Sequence, residues 1–200
     1  MKVMYGSDRV QVVADMLNSE MSAGQSLADI GARDEVLLSK MTIDVRYFGF
    51  DIFPIGDNSV YLDIEDASEN PEIFDSVVAL DVLEHTNDLE RSTHNLLQMC
   101  KDRYIINLPN ELWILYRFRL LLGIISGKFS IDLSNKDRHR WFFTIENVEQ
   151  FIAQTPINET NYEVFAFYKK GRVLGRIAKY LSFLGLHGLL AHSFIIVGRK

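Results

Sequence analysis

Four acids and an imidazole are spaced in this chain as if to meet. Asp51, Asp63 and Asp81 each lie at or just past the end of a short apolar run, and Glu84 and His85 follow the last of them within four residues. Strands of an open parallel sheet aim their carboxyl ends at one crevice, so acids at successive strand ends converge there. Gly31 precedes Asp51 by twenty positions. At that distance a strand–turn–helix–strand unit sets a backbone turn against one end of a nucleotide and a carboxylate against its ribose. The pair points to an adenosine-containing cofactor. His85 suits acid–base work, because an imidazole ordinarily titrates at about 6.5. Glu84 and His85 equally suit holding their own loop by local hydrogen bonds. As two adjacent groups with no spaced third partner, they give no expectation of a metal site.

For these residues to meet, residues 26–51 must form a buried strand over 27–30, a tight turn at Gly31, a short helix and a second strand ending on Asp51. SVYLDI (59–64) reads as a third strand. Ser76 to Leu80, within FDSVVALDVLEH, is a nearly continuous apolar run of the kind expected for a strand buried on both faces. RYIINL (103–108), closed by Pro109, is a fifth. Helical spacing over 8–22 places Val12, Val13, Met16, Leu17 and Met21 on one stripe behind a cap at Ser7 or Asp8, and returns over 88–101. Strict alternation of strand and helix predicts right-handed crossovers and a doubly wound parallel α/β sheet. Beyond it, Thr144 can cap a helix carrying Val148, Phe151 and Ile152, and 162–168 and 193–199 read as two closing strands.

Composition sets the outer limits. Two hundred residues, 48% hydrophobic and 24% charged, suffice for one domain with a sizeable core. A net charge of −6 argues against a nucleic-acid-binding face, which needs clustered Lys and Arg. The single cysteine, Cys100, lies among Leu96, Leu97 and Met99 and is expected to be a buried structural thiol in a reducing compartment. Asp8, Arg9 and Asp15 interrupt the N-terminal run where a signal peptide needs an apolar stretch, so a cytoplasmic location is expected.

Taken in order, these motifs resemble the class I S-adenosylmethionine-dependent methyltransferases, in particular the small type-11-like members with Leu-Glu-His after the fourth strand. The resemblance covers residues 26–110, and RHRWFFTIENVEQFI is similar to the family's later His-x-x-x-Phe-Phe-Thr-x-Glu region. It implies a seven-stranded, mostly parallel Rossmann-like sheet with an antiparallel last strand, in one domain over 1–200. That domain divides into an N-terminal helix (1–24), a cofactor-binding core (25–110), an inserted lid or acceptor-recognition segment (111–137) and a C-terminal part with helix, basic amphipathic stretch and closing strands (138–200). In the family the first strand ends in acid-x-Gly-x-Gly-x-Gly. Here Asp29 and Gly31 match, whereas Arg33 and Glu35 replace the second and third glycines. The resemblance implies S-adenosylmethionine as cofactor, held by Asp29, Gly31, Ala32, Arg33, Asp51, Ile52, Asp63, Ile64, Asp81 and Val82. Gly31 lets the backbone bend close to the ligand. Asp51 accepts from the ribose diol or else caps a turn before Pro54, Asp63 accepts from the adenine amino group, a role that Glu65 or Asp66 could equally take, and Asp29 orients the turn or the cofactor amine. Arg33 has a guanidinium to pair with the cofactor carboxylate. Glu35 is either a solvated acid in a first helical turn or a charge that repels that carboxylate.

On the acceptor side, His85 and His139 are the catalytic candidates, and Glu84, Trp113, Tyr116, Arg117 and Arg140 the substrate candidates, with Phe118, Phe129 and Arg119 in the same segment. Arg117 and Arg119 interrupt the apolar run 112–129 short of the roughly 18 residues a membrane span needs. Together with the basic stretch 169–190 it suggests peripheral contact with the inner face of a membrane and a small or lipid-linked acceptor. Relatives of this type suggest a saccharide hydroxyl in surface-polysaccharide biosynthesis. A cofactor-binding or regulatory module without turnover is the alternative. A nicotinamide oxidoreductase is disfavoured, because the Gly-x-Gly-x-x-Gly turn for a pyrophosphate is absent. The apolar 111–129 surface equally suits a dimer contact.

Overall fold

The computed structural model describes residues 1–67, 71–125, 138–169 and 186–200. Among them, eight strands form one sheet: β1 (Lys2–Gly6), β2 (Ser26–Ile30), β3 (Arg46–Asp51), β4 (Ser59–Tyr61), β5 (Phe74–Leu80), β6 (Cys100–Pro109), β7 (Asn161–Lys169) and β8 (Ser193–Arg199). Their spatial order is β1-β7-β8-β6-β5-β2-β3-β4. Every pairing is parallel except those of β8, which runs antiparallel to both β6 and β7. The chain winds outward from β2 through β3 and β4, then returns to start β5 on the other side of β2. The strand order therefore switches between β2 and β5, the place at the strands' carboxyl ends where open α/β sheets bind their ligands.

Side chains alternate across the sheet with a period of two and fill two layers. Ala28, Val77, Tyr104, Ile106, Phe194 and Ile196 join one core, against α2 (Leu89–Gln98) and α4 (Ile145–Ala153). Leu27, Val78, Ile105 and Ile195 join the other, against Val13, Ala14 and Leu17 of α1 (Arg9–Glu20). Three side chains cap these helices at the expected ends. Asp8 accepts from the Val10 N–H, Asp88 from Arg91 and Thr144 from Asn147. A further helix, α3 (Ile114–Leu121), buries none of its residues, and a last short one, α5 (His187–Leu190), precedes β8.

Four features depart from the sequence reading. The sheet has eight strands, because Lys2–Gly6 adds an edge strand to β7 ahead of the N-terminal helix. The helix expected after Gly31 is reduced to a 3-10 turn at Leu38–Lys40. Glu35 has φ 56, and a residue in the left-handed region cannot belong to a right-handed helix. The third strand stops at Tyr61, because Asp63 turns its carboxylate to the Glu65 N–H and caps a 3-10 helix, Ile64–Asp66. The fifth expected strand begins at Cys100 rather than 103. Cys100 is 1% exposed and burial pushes its thiol up to about 12, so it is an inert packing group. Phe129 and most of the basic stretch 169–190 lie outside the described residues. Among those described, no helix is long and apolar enough to cross a membrane.

Candidate active site

Gly31 ends β2 with φ 82, a conformation that side chains disfavour. A Cβ there would also lie 2.3 Å from Cγ2 of Val82. Both facts require glycine at the turn. The Gly31 and Ala32 N–H groups donate to the Phe50 carbonyl at 2.7 and 3.1 Å. Arg33 N–H donates to Asp51 Oδ2 at 3.1 Å and Phe53 N–H to Oδ1 at 2.6 Å. The two strand ends are thus interlocked, and Asp51 is fixed in one rotamer. A carboxylate oxygen has two lone pairs, so each retains capacity for a ligand hydroxyl. Beside it Ile52 and Phe53 are 44% and 48% exposed, a half-open apolar edge.

Asp29 lies beneath this turn. It is 5% exposed and accepts from the Tyr47 hydroxyl at 2.7 Å. Burial pushes its carboxyl up to about 7, the Tyr47 hydrogen bond offsets part of this, and the charges of Asp51, Glu35 and Asp34 add to it. Arg33 is exposed, and its carbonyl accepts from the Ile55 and Gly56 N–H groups. Glu35 does not stand on a first helical turn. Its carboxylate accepts from Asn58 N–H at 2.6 Å, from Asn58 Nδ2 at 3.0 Å and from Ser59 Oγ at 2.9 Å. Those bonds hold it below the usual carboxylate range. The replaced glycines therefore tie the 52–58 loop back onto the Gly31 turn. Ile64 is 4% exposed and turned into the core, while Asp63 is engaged as the cap described above.

The exit of β5 forms the other half of the site. Asp81 has φ 58, forms an ion pair with Arg9 at the start of α1 and accepts from Nδ2 of Asn107 on β6. It faces a cavity of about 300 Å³ that opens beyond β5 rather than over Asp51. Arg9, Glu111, Trp113, Tyr116 and His192 also line this cavity. The Trp113 ring lies 4.4 Å from His192 and 6.2 Å from Tyr116 between centroids. Arg117 is exposed, and its Nε donates to the Leu112 carbonyl at 2.7 Å.

Next to this cavity the chain brings together residues remote in sequence. The Glu84 carbonyl accepts from the N–H groups of Arg140 and Trp141 at 2.7 and 3.2 Å. Arg140 Nε donates to the His85 carbonyl at 3.0 Å, and Trp141 Nε1 to the Thr86 carbonyl at 2.8 Å. This stitching sets His139 against His85, with ring centroids 4.8 Å apart and planes at 90°. His139 Nδ1 is paired with Glu111. The sequence reading gave Glu84 and His85 no third partner and expected no metal. His139 corrects that premise, because Glu84, His85 and His139 offer ligand atoms within 4.8 Å of one another.

Arg9, Tyr47, Asn107 and Glu111 are the polar partners that sequence reasoning missed. Arg9 reads as a helix N-terminal charge and Tyr47 as a strand aromatic. Asn107 and Glu111 flank Pro109 at the end of β6, and an asparagine inside the run RYIINL was the one available signal of a buried polar contact.

No protein-family model matches the sequence, and neither does any curated protein. Solved structures do match the fold. The magnesium protoporphyrin IX methyltransferase ChlM of Synechocystis PCC 6803, with bound SAH, aligns at TM-score 0.60 and 13% identity, over 96% of this chain and 81% of that one. A SAM-dependent methyltransferase from Archaeoglobus fulgidus aligns at TM-score 0.61 and 16% identity, over 96% and 94%. The small RNA methyltransferase HEN1 aligns at TM-score 0.65 and 17% identity, over all of this chain and 27% of that one. The chain therefore has the Rossmann-like fold found in these methyltransferases.

Proposed function

We propose that the chain is an S-adenosylmethionine-dependent methyltransferase acting on a hydroxyl of a small or lipid-linked acceptor. The observation that carries this reading is the interlocked Gly31 turn and Asp51 carboxylate at the switch between β2 and β5. The donor set fits this cofactor. The Asp51 carboxylate suits a ribose diol and would repel a pyrophosphate, and Asp29 beneath the turn suits an ammonium. When bound, S-adenosylmethionine supplies a methyl group on a sulfonium, a leaving group already activated by its charge.

On this reading Asp51 accepts from both ribose hydroxyls, Ile52 covers the adenine edge and Asp63 lies toward its amino group. Gly31 and Ala32 border the methionyl part, over Asp29, with Val82 packed beneath the turn. Arg33 borders the same crevice, and Asp81, at the exit of β5, faces the neighbouring cavity. The acceptor occupies the 300 Å³ cavity, where Trp113 and Tyr116 form an aromatic wall of the kind that stacks on a sugar face. Arg140 and Arg117, both exposed, are the cations assigned to an anionic group of the acceptor. His85, partly exposed beside the cavity, is the group that activates the acceptor hydroxyl, and His139, buried against it, supports His85. With the cofactor bound, the acceptor oxygen would take the methyl group while the carbon–sulfur pair returned to sulfur, and the hydroxyl proton would leave to solvent. Much of the catalysis is then positioning.

A lipid-linked saccharide of surface-polysaccharide synthesis, met at the inner face of the membrane from the cytoplasm, fits the apolar outer side of α3. Leu115, Phe118 and Leu121 are 42%, 58% and 81% exposed there. Incubation with methyl-labelled cofactor and saccharide acceptors, free and polyprenyl-linked, tests the reading. Label in the acceptor hydroxyl supports it. Tight cofactor binding with no transfer to any acceptor would favour a regulatory module. Flotation with anionic vesicles that leaves the chain in the bottom fraction would remove the membrane contact.

A further inference from the structure

We propose that Glu84, His85 and His139 form a binding site for one divalent transition-metal cation of the zinc class, beside the acceptor cavity. The ligand set and its setting both support this. Two imidazoles and a carboxylate are a donor combination suited to zinc and its neighbours and poorly suited to magnesium, which prefers oxygen. Glu84 is fully buried, His139 is 6% exposed, and His85 Nε2 lies 4.0 Å from Glu84 Oε1.

The outer hydrogen bonds select the nitrogens that can coordinate. His85 Nδ1 lies 3.1 Å from the Arg138 carbonyl, which can only accept, so Nδ1 carries the proton and Nε2 the lone pair. His139 Nδ1 is paired with the Glu111 carboxylate, which fixes the same tautomer there. One backbone carbonyl and one carboxylate, each holding the far nitrogen of an imidazole, are the supports that metal-bound histidines have. The three ligand atoms lie within 4.8 Å of one another, wider than the roughly 3.3 Å that bonds of about 2.0–2.1 Å at tetrahedral angles require. Binding therefore draws them together by up to about 1.5 Å.

Three protein ligands leave a coordination position for water or for an acceptor oxygen. Glu111 both holds His139 and lines the acceptor cavity, so the site adjoins the space the acceptor would occupy. The cation's part in transfer rests on the reading given above: an acceptor hydroxyl on the metal loses its proton to solvent more readily and keeps the pair that forms the new bond. The binding site itself does not depend on that reading.

The test uses the full chain, stripped with chelator and free of cofactor. Titration with Zn²⁺, and with Co²⁺ as a visible-absorbing probe, should show one tight equivalent per chain and Co²⁺ bands from nitrogen and oxygen ligands. Mg²⁺ should bind at least 100-fold more weakly. His85→Ala and His139→Ala should each weaken Zn²⁺ binding by more than 100-fold. Glu111→Gln, which keeps an acceptor for His139 but removes the charge, should weaken it about 10-fold, at the low end of supporting-shell effects. A folded wild-type chain with no stoichiometric Zn²⁺ or Co²⁺ binding overturns the proposal. So does binding that survives both histidine variants unchanged. If those variants fail to fold, the wild-type stoichiometry and the Glu111→Gln ratio decide. Because no cofactor is present, failure here and failure of the methyl-transfer reading are separate results.

Discussion

Asp29 is held against its own ionisation, and the consequence can be worked out. Its carboxyl rises from 3.8 to about 7, chiefly through burial. At about 1.36 kcal/mol per pH unit, the difference amounts to at most about 4 kcal/mol. The folded chain keeps a proton that the unfolded chain gives up. The stabilisation is therefore fully present below pH 3.8, is lost as pH rises from 3.8 to about 7, and is constant above. Asp29→Asn is isosteric, still accepts from the Tyr47 hydroxyl and does not titrate. Urea unfolding of both proteins at pH 4.5, 6 and 7.5 should show the variant gaining about 2–4 kcal/mol on the wild type across that range. Parallel profiles would refute the reasoning, since they would mean that Asp29 is ionised in the folded chain. The same residue makes a prediction about binding. A cationic cofactor amine near Asp29 favours its ionised form, so cofactor binding at pH 6.5 should release a proton. Calorimetry in buffers of different ionisation enthalpy reads that release, and Asp29→Asn should abolish it.

Gly31→Ala should destabilise the chain by about 1–2 kcal/mol from left-handed strain, with a further loss from the clash with Val82. Combining it with Val82→Ala should recover the clash part, giving a coupling above about 0.5 kcal/mol in a double-mutant cycle. Glu35→Ala should free the 52–58 loop, seen as faster amide exchange at Asn58. The Glu35 carboxyl is held low by Asn58 and Ser59, so in the wild type that protection should persist at neutral pH and be lost as pH falls through the lowered value. Trp113→Ala should raise acceptor KM about 3- to 10-fold, the range of an aromatic contact, and leave cofactor affinity unchanged.

The half of the site made by local sequence was legible, and the half made by tertiary contact was not. FDSVVALDVLEH announces a buried strand followed by a polar exit, and the Gly31–Asp51 spacing announces a turn against a strand end. β1 is not legible because five residues carry little pattern, and its partner β7 lies some 160 positions away. The helix after Gly31 was an extrapolation from the usual unit. Glu35 breaks it by taking φ 56 and using its carboxylate on Asn58 and Ser59, which no helical periodicity reports. His85 and His139 could each be named, but not as a pair. They are 54 positions apart, and they meet because backbone donors of Arg140 and Trp141 find the Glu84 carbonyl. Neither a composition nor a spacing encodes that register.

The most direct test of the central claim is calorimetric titration of the chain with S-adenosylmethionine and S-adenosylhomocysteine, with NADH alongside and Asp51→Ala as the control. Micromolar binding of both sulfur ligands, none of NADH, and a loss of about 100-fold or more in the variant are expected, since two hydrogen bonds to a charged acceptor disappear. A folded wild-type chain that binds neither sulfur ligand, or binds them equally well without Asp51, would contradict it.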